Sequence, residues 1–156
     1  MVTFLETKKN YINLLGDLGM AYWLLKTEPE NYSYFDLERD GSTIWDGVNN
    51  PLALKHIRTM LIGDLALIYH TGKERQVIGL AEIISQPYID PALNDSKRVV
   101  VDVRAVQKVQ QPVTLAQIKQ DEKFTDFDLL RLPRLSVVPV SQVYWQRLID
   151  MTNGTD

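Results

Sequence analysis

Four short stretches carry an unusual density of polar and aromatic side chains: WLLKTEPE (23–30), WDGVNN (45–50), YHTGK (69–73) and RLSVVP (134–139). Two kinds of chemistry are open to them. His70 with Asp46 or Glu28 would make an acid–base pair. Trp23, Trp45 and Tyr69 offer aromatic faces, while Thr27, Asn50 and Ser136 offer hydrogen-bonding groups, the equipment of a binding pocket. The question is sharpest in WDGVNN, which sets a tryptophan, an acid, a glycine and two amides directly before a helix. A turn explains part of this. Gly47 supplies unusual backbone angles, Asn49 or Asn50 caps the helix, and Pro51 takes its first position. Turns seldom need an indole, so the stretch asks for a second role.

Each residue also has an ordinary structural reading. Trp23 and Trp45 suit core packing, and His70 suits a strand end bonded to backbone. Lys26 and Glu28 suit a solvated pair, and Asp46 and Asn49 suit turns. Ser136 has no base nearby in sequence to activate it.

Composition narrows the chemistry further. The 156-residue chain is long enough for one domain with its own core. It has no cysteine, which excludes disulfides, cysteine–zinc sites and a thiol nucleophile. Its two histidines, His56 and His70, form no zinc-protease pattern, so a metal enzyme is not expected and only an all-carboxylate magnesium site stays open. The formal charge of −3 argues against holding nucleic acid by bulk electrostatics. A reader of a single nucleotide needs only a shaped pocket and a local basic rim. No apolar run has the length of a membrane span, and the first nineteen residues contain a lysine pair and no cleavable apolar segment. The expected organisation is an extension over 1–19, a domain over 20–151 and a tail over 152–156, in a cytoplasmic protein.

The elements that must position these residues follow from periodicity. AYWLLK (21–26) reads as a buried strand and TIW (43–45) as a brief one. Ser33 and Asp36 have capping-box spacing for a short helix. PLALKHIRTM (51–60) reads as a helix with Leu54, Ile57 and Leu61 on its buried stripe. DLALIYH (64–70) and QVIGLAEIIS (76–85) flank a TGKER turn as a hairpin. In RVVVDVRAVQKV (98–109), Val99, Val101, Val103 and Ala105 alternate with Asp102 and Arg104, which predicts a strand with one wetter face. PYIDPALNDSK (87–97) reads as a surface loop. Thr114 and Gln117 open a further helix, 124–132 another short one, and 134–141 is extended. Ser141 caps a last helix bearing Tyr144, Trp145, Leu148 and Ile149 on one side. Strands clustered in the middle with short helices around them predict an α+β domain on a small, strongly curved sheet or barrel. A doubly wound nucleotide fold is disfavoured because no strand leads into a glycine-rich loop.

Taken together, WLLKTEPE, WDGVNN, IYHTGKERQVIGLAEI, YIDP, VVVDVRAV and RLSVVPV, in this order and spacing, resemble the EVE domain from about Tyr22 to about Ile149. The resemblance implies a PUA-like fold, a mixed-sheet β-barrel with flanking short helices, shared with YTH and ASCH domains. It also implies a non-catalytic reader that takes a modified base into a pocket: a methylated or hydroxymethylated cytosine in DNA, or a modified base in RNA. The family's KSEP-type motif is here Lys26-Thr27-Glu28-Pro29. Position 49, commonly arginine or lysine in the family, is Asn49 here, which removes a charge that would meet a phosphate; Asn50 keeps the family's amide.

On that reading Trp45 is a pocket wall, with Trp23 and Tyr69 as further aromatic faces. Asn50 meets a Watson–Crick edge. Thr27 and Ser136 supply hydroxyls, His70 a switchable donor or acceptor, and Lys26, Glu28 and Asp46 complete the ligand-binding set. Lys55, Arg58, Lys73 and Arg75 are the expected phosphate contacts. The expected partner is DNA or RNA carrying a modified base, bound by a monomer without cofactor, metal or membrane. Alternatives are a sensor of a small metabolite or nucleoside, and an enzyme acting on a nucleoside or RNA.

Overall fold

The computed structural model describes residues 20–154, so the expectation for the extension over 1–19 lies outside the described residues. Four strands form the body of a mixed sheet: β1 (Tyr22–Thr27), β3 (Leu65–His70), β4 (Gln76–Ile83) and β6 (Val99–Thr114). Short strands β2 (Ser42–Trp45) and β7 (Val137–Val140) flank them, giving the order β2-β6-β4-β3-β1-β7, and the two-residue β5 (Tyr88–Ile89) pairs with β6. Only β1 and β3 pair in parallel; the other ladders are antiparallel. The central strands are the most apolar in sequence, as covering on both faces requires: all six residues of β3 are buried.

The long strand β6 keeps the predicted alternation over 101–104 only: Val100 is buried beside its neighbours, Ala105 is half-buried, and the strand continues to Thr114 rather than ending near 109. Val99, Val101 and Val103 are buried, whereas Asp102 and Arg104 are half-buried and paired. Arg104 donates from Nε and Nη2 to Glu82 Oε1 at 2.9 and 2.6 Å, across the register pair Glu82–Arg104. Tyr88 Oη donates to Asp102 Oδ1 at 2.5 Å, which fixes the small strand β5 inside the segment expected to be all loop.

The helices are short and begin where the capping residues indicate. Ser33 and Asp36 form a reciprocal capping box at α1 (Tyr34–Asp40), and Thr114 and Gln117 form another at α3 (Leu115–Gln120). Asn50 caps α2 (Pro51–Arg58), Ser141 caps α5 (Gln142–Thr152), and α4 (Asp128–Arg131) is a single turn. The buried stripe of α2 is corrected at its end: Leu54 and Ile57 are buried, but Leu61 is 57% exposed and Met60 is buried instead. The helix stops at Arg58, where Thr59 turns its N–H and hydroxyl back onto the His56 carbonyl, so helical spacing no longer governs residue 61. No helix of the described residues is long and apolar enough to cross a membrane.

Two buried polar centres hold the sheet to its surroundings. The Asp64 carboxylate, 1% exposed, accepts from Ala21 N, Leu61 N and Trp23 Nε1, each at 3.0 Å. Tyr34 lies across β4 with its ring where a Cβ on Gly79 would sit, and its hydroxyl donates to the Leu80 carbonyl at 2.7 Å. Gly79 is therefore a packing requirement in mid-strand.

Candidate nucleic-acid interface

The ladder ends at β2 on one side and at β7 on the other, and among the described residues no pairing joins those edges. The sheet nevertheless curls enough for the two sides to face each other across a cavity of about 650 Å3. One wall is the β2 end and its continuation, Thr43 to Val48. The other comes from Lys26 and Thr27 at the end of β1 and from Ser136 just before β7, with Asn31 and Tyr32 closing a third side. Lys26 N donates to the Ser136 carbonyl at 2.9 Å, which zips β1 to the β7 approach at the cavity edge.

Strand pleating sets the first wall. Thr43 and Trp45 are two residues apart in β2 and share a face. Trp45 is only 7% exposed yet lines the cavity, and its indole N–H meets no acceptor among the described residues. Gly47 then takes φ 79°, a left-handed conformation that lets the chain leave the strand, and among the described residues nothing lies within 4 Å of where its Cβ would be. Val48 is buried, and its carbonyl accepts from Arg98 Nε at 2.9 Å, which pins the loop. The Asp46 carboxylate is exposed, lines the cavity and accepts no hydrogen bond among the described residues, so it is not engaged in an Asx turn.

The second wall is more constrained. Thr27 Oγ1 donates to the Tyr32 carbonyl at 2.6 Å, and Tyr32 N donates to the Glu28 carbonyl at 2.9 Å, so the TEPENY turn folds back over the end of β1. Tyr32 Oη donates to Asp40 Oδ2 at 2.8 Å, and burial pushes its pKa up. Lys26 Nζ donates to the Pro133 carbonyl at 2.9 Å and stands 5.9 Å from the Tyr69 ring centroid. Burial lowers the Lys26 pKa.

Of the ten residues expected to bind ligand, the cavity gathers Lys26, Thr27, Trp45, Asp46 and Ser136. It does not gather Trp23, Glu28, Asn50, Tyr69 or His70. Trp23 sits near the opposite end of β1, 4% exposed, with its indole N–H engaged by Asp64. Glu28 lies on the neighbouring turn, where Oε2 accepts from Thr71 Oγ1 at 3.1 Å. Asn50 Oδ1 accepts from Leu52 N and Ala53 N at 2.9 and 3.0 Å, which makes it the N-cap of α2 and turns it away from the cavity. Tyr69 is buried beneath Lys26. His70, 1% exposed, accepts the Tyr34 backbone N–H on Nε2 at 2.9 Å and faces Glu74 Oε1 with Nδ1 at 3.0 Å. Both ring nitrogens are thus occupied, and its partners are neither Asp46 nor Glu28.

None of the four expected rim cations lines the cavity. Lys55 is exposed on α2 and Lys73 is exposed in the β3–β4 turn. Arg58 Nη2 donates to the Lys97 carbonyl at 2.9 Å, and Arg75 Nε donates to the Gly72 carbonyl at 3.2 Å. The residues missed in sequence are Asn31, Tyr32, Thr43, Ile44, Gly47 and Val48. Thr43 was legible by its two-residue spacing from Trp45, whereas Asn31 and Tyr32 reach the cavity through a turn whose closure no motif announces. Among the described residues no group of three His, Asp or Glu side chains is placed to hold a metal ion.

The EVE domain family model matches residues 21–151. Human thymocyte nuclear protein 1 is 30% identical over 164 aligned positions, covering 83% of this chain and 72% of that protein. The crystal structure of human THYN1 in complex with 5-methylcytosine-containing DNA superposes with a TM-score of 0.78 at 28% identity, over 85% of this chain and 97% of that one. A crystal structure of an Agrobacterium tumefaciens protein gives 0.82 at 34% identity, over 85% and 92% of the two chains. An ASCH protein of Zymomonas mobilis shares the fold alone, with a TM-score of 0.54 at 12% identity over 83% and 94%. With its cavity-lining segments all inside the matched range, the chain belongs to the EVE domain family.

Proposed function

We propose that this protein binds DNA and reads a modified cytosine, 5-methylcytosine being the reference ligand, by taking the base into the cavity between β2 and the end of β1. The observation that carries this reading is an aromatic wall, Trp45, whose indole N–H meets no acceptor among the described residues, beside a mixed set of hydrogen-bonding groups in a cavity of about 650 Å3. That volume lies in the range of small-molecule sites, roughly 300–1,000 Å3. Support from kinship is that human THYN1, of the same family, has been crystallised with 5-methylcytosine-containing DNA. On this reading the domain unit spans 20–151 and its architecture is PUA-like, a curled sheet whose open seam is the pocket. The likeness to an ASCH protein supports that architecture.

Unstacking a base costs a few kcal/mol. Stacking on Trp45 returns about 1–3 kcal/mol, and the rest comes from hydrogen bonds to the base edge. Asp46 is the acceptor for an exocyclic amino group, as carboxylates are for cytosine N4. Lys26, Asn31 and Ser136 are the available donors for the ring nitrogen and carbonyl. A methyl group adds of order 1 kcal/mol through apolar contact, so discrimination from that source is about fivefold. Among the described residues no side-chain pair in the cavity has the geometry of a nucleophile and its base, and the reading is of binding without catalysis.

The test is a titration of labelled duplexes that differ in a single 5-methylcytosine, with wild type and Trp45→Ala. The expected result is tighter binding of the methylated duplex and a loss of about 5- to 150-fold in Trp45→Ala. Equal binding of both duplexes, unchanged in the variant, overturns the proposal.

A further inference from the structure

A second groove of about 360 Å3 adjoins the cavity and is unlike it in chemistry. Its floor is apolar, formed by Leu52, Leu132, Pro133 and Leu135, and its polar side chains are Asn50, Arg131 and Arg134. The two hollows share their walls. The 46–52 segment passes from cavity to groove, and so does 133–136, where Ser136 lines the cavity and Leu135 the groove. Lys26 Nζ, on the cavity side, is bonded to the carbonyl of Pro133 on the groove side.

Among the described residues, the side-chain hydrogen-bonding capacity left in this groove is all donor. The Asn50 side-chain oxygen is taken by the α2 cap, which leaves only its NH2 group. Arg131 is partly held by Asp128, with Nε and Nη2 at 3.1 and 2.9 Å, and keeps further N–H groups. Arg134 is exposed and has no partner among the described residues. The cavity, by contrast, offers the Asp46 carboxylate alongside its donors. A base edge needs both donors and acceptors, whereas a phosphodiester is an acceptor-only anion attached to an apolar sugar face. In a chain of net charge −3 this is a local cationic surface beside the pocket whose free side-chain groups are all donors.

We propose that the groove seats the sugar and phosphodiester next to the extruded nucleotide, with Arg134 as the phosphate contact and the Asn50 NH2 group as a second donor. This rests on the base-reading function above and gives it the backbone grip that Lys55, Arg58, Lys73 and Arg75 do not supply at the cavity. The affinity for DNA then depends on two separable parts: a cavity that discriminates bases and a groove that does not.

The experiment measures affinity for the methylated duplex and its unmodified twin from about 50 to about 200 mM salt, by fluorescence anisotropy. One lost phosphate contact lowers the slope of log K against log salt by about 0.9, so the penalty for this fourfold rise in salt is about 3.5-fold smaller in Arg134→Gln. Both duplexes weaken in it by the same factor, and Arg134→Lys retains the wild-type slope. Asn50→Asp keeps the helix cap, since aspartate caps as well as asparagine. It therefore keeps the melting temperature while placing an anion in the groove, and both duplexes bind it more weakly. An unchanged slope in Arg134→Gln, with Asn50→Asp binding as wild type, overturns the groove assignment. Loss of the base-reading function shows separately, as a wild type indifferent to methylation and to Trp45→Ala.

Discussion

Exchanging each of two tryptophans for phenylalanine separates what they do. Trp23 donates to the buried Asp64 carboxylate at 3.0 Å, whereas the Trp45 indole N–H has no acceptor among the described residues. Trp23→Phe removes a hydrogen bond to an ionised group, about 1.5–3 kcal/mol. The vacated volume of the smaller ring adds of order 1 kcal/mol. Asp64 keeps Ala21 N and Leu61 N, so its burial is not left uncompensated. The sum, about 2.5–4 kcal/mol, corresponds to a fall in Tm of about 5–15 °C for a chain of this size. Because Trp23 is outside the cavity, affinity for the methylated duplex stays at the wild-type value in the folded fraction. Trp45→Phe loses no hydrogen bond and part of a stacking face, so its Tm falls little while affinity drops about 2- to 10-fold. Differential scanning calorimetry and anisotropy titration on the same preparations read both quantities. A Trp23→Phe protein with wild-type Tm and impaired base binding refutes the assignment of the two indoles.

Two glycines separate space from backbone conformation. At Gly79 a Cβ would overlap the Tyr34 ring, so Gly79→Ala is expected to displace that ring and its 2.7 Å bond to Leu80 O, costing about 3 kcal/mol or more in urea denaturation. Gly47→Ala meets no atom and pays only for φ 79°, about 1 kcal/mol; equal losses at the two positions would contradict this. The Tyr88 hydroxyl, bonded to the Asp102 carboxylate and desolvated, has its pKa raised from 10.0 to about 12. A raised folded-state pKa stabilises the protein fully below pH 10 and less as pH climbs towards 12, because the unfolded chain loses the proton first. The stability gap between wild type and Tyr88→Phe should therefore narrow over that interval, and a gap that stays constant in urea titrations from pH 8 to about 11.5 would show that the bond does not link to ionisation.

The course of the chain was largely legible. The capping boxes at Ser33–Asp36 and Thr114–Gln117 and the Ser141 cap depend on residues within four positions of one another and formed as expected, whereas the period-two alternation of β6 holds only over 101–104 and the strand runs on to Thr114. Leu61 failed because a helix end, decided by Thr59 and the pull of Asp64 on Leu61 N, overrode periodicity. The site was legible only in part, since a motif marks a neighbourhood and not a direction. His70 stands opposite Thr27 in the ladder, yet its ring is taken by Tyr34 N and Glu74.

Sequence alone therefore marked the caps and part of the cavity lining: Trp45 before a left-handed glycine, an amide before Pro51, Lys26 and Thr27 at a strand end. Which of them face one another was settled by the curl of the sheet. Trp23 and Lys26 lie in one strand, but three residues of strand extend about 10 Å, and only the far end of β1 reaches the seam. The same curl brings 133–136 between cavity and groove, a juxtaposition of segments more than eighty residues apart that short-range sequence pattern cannot encode.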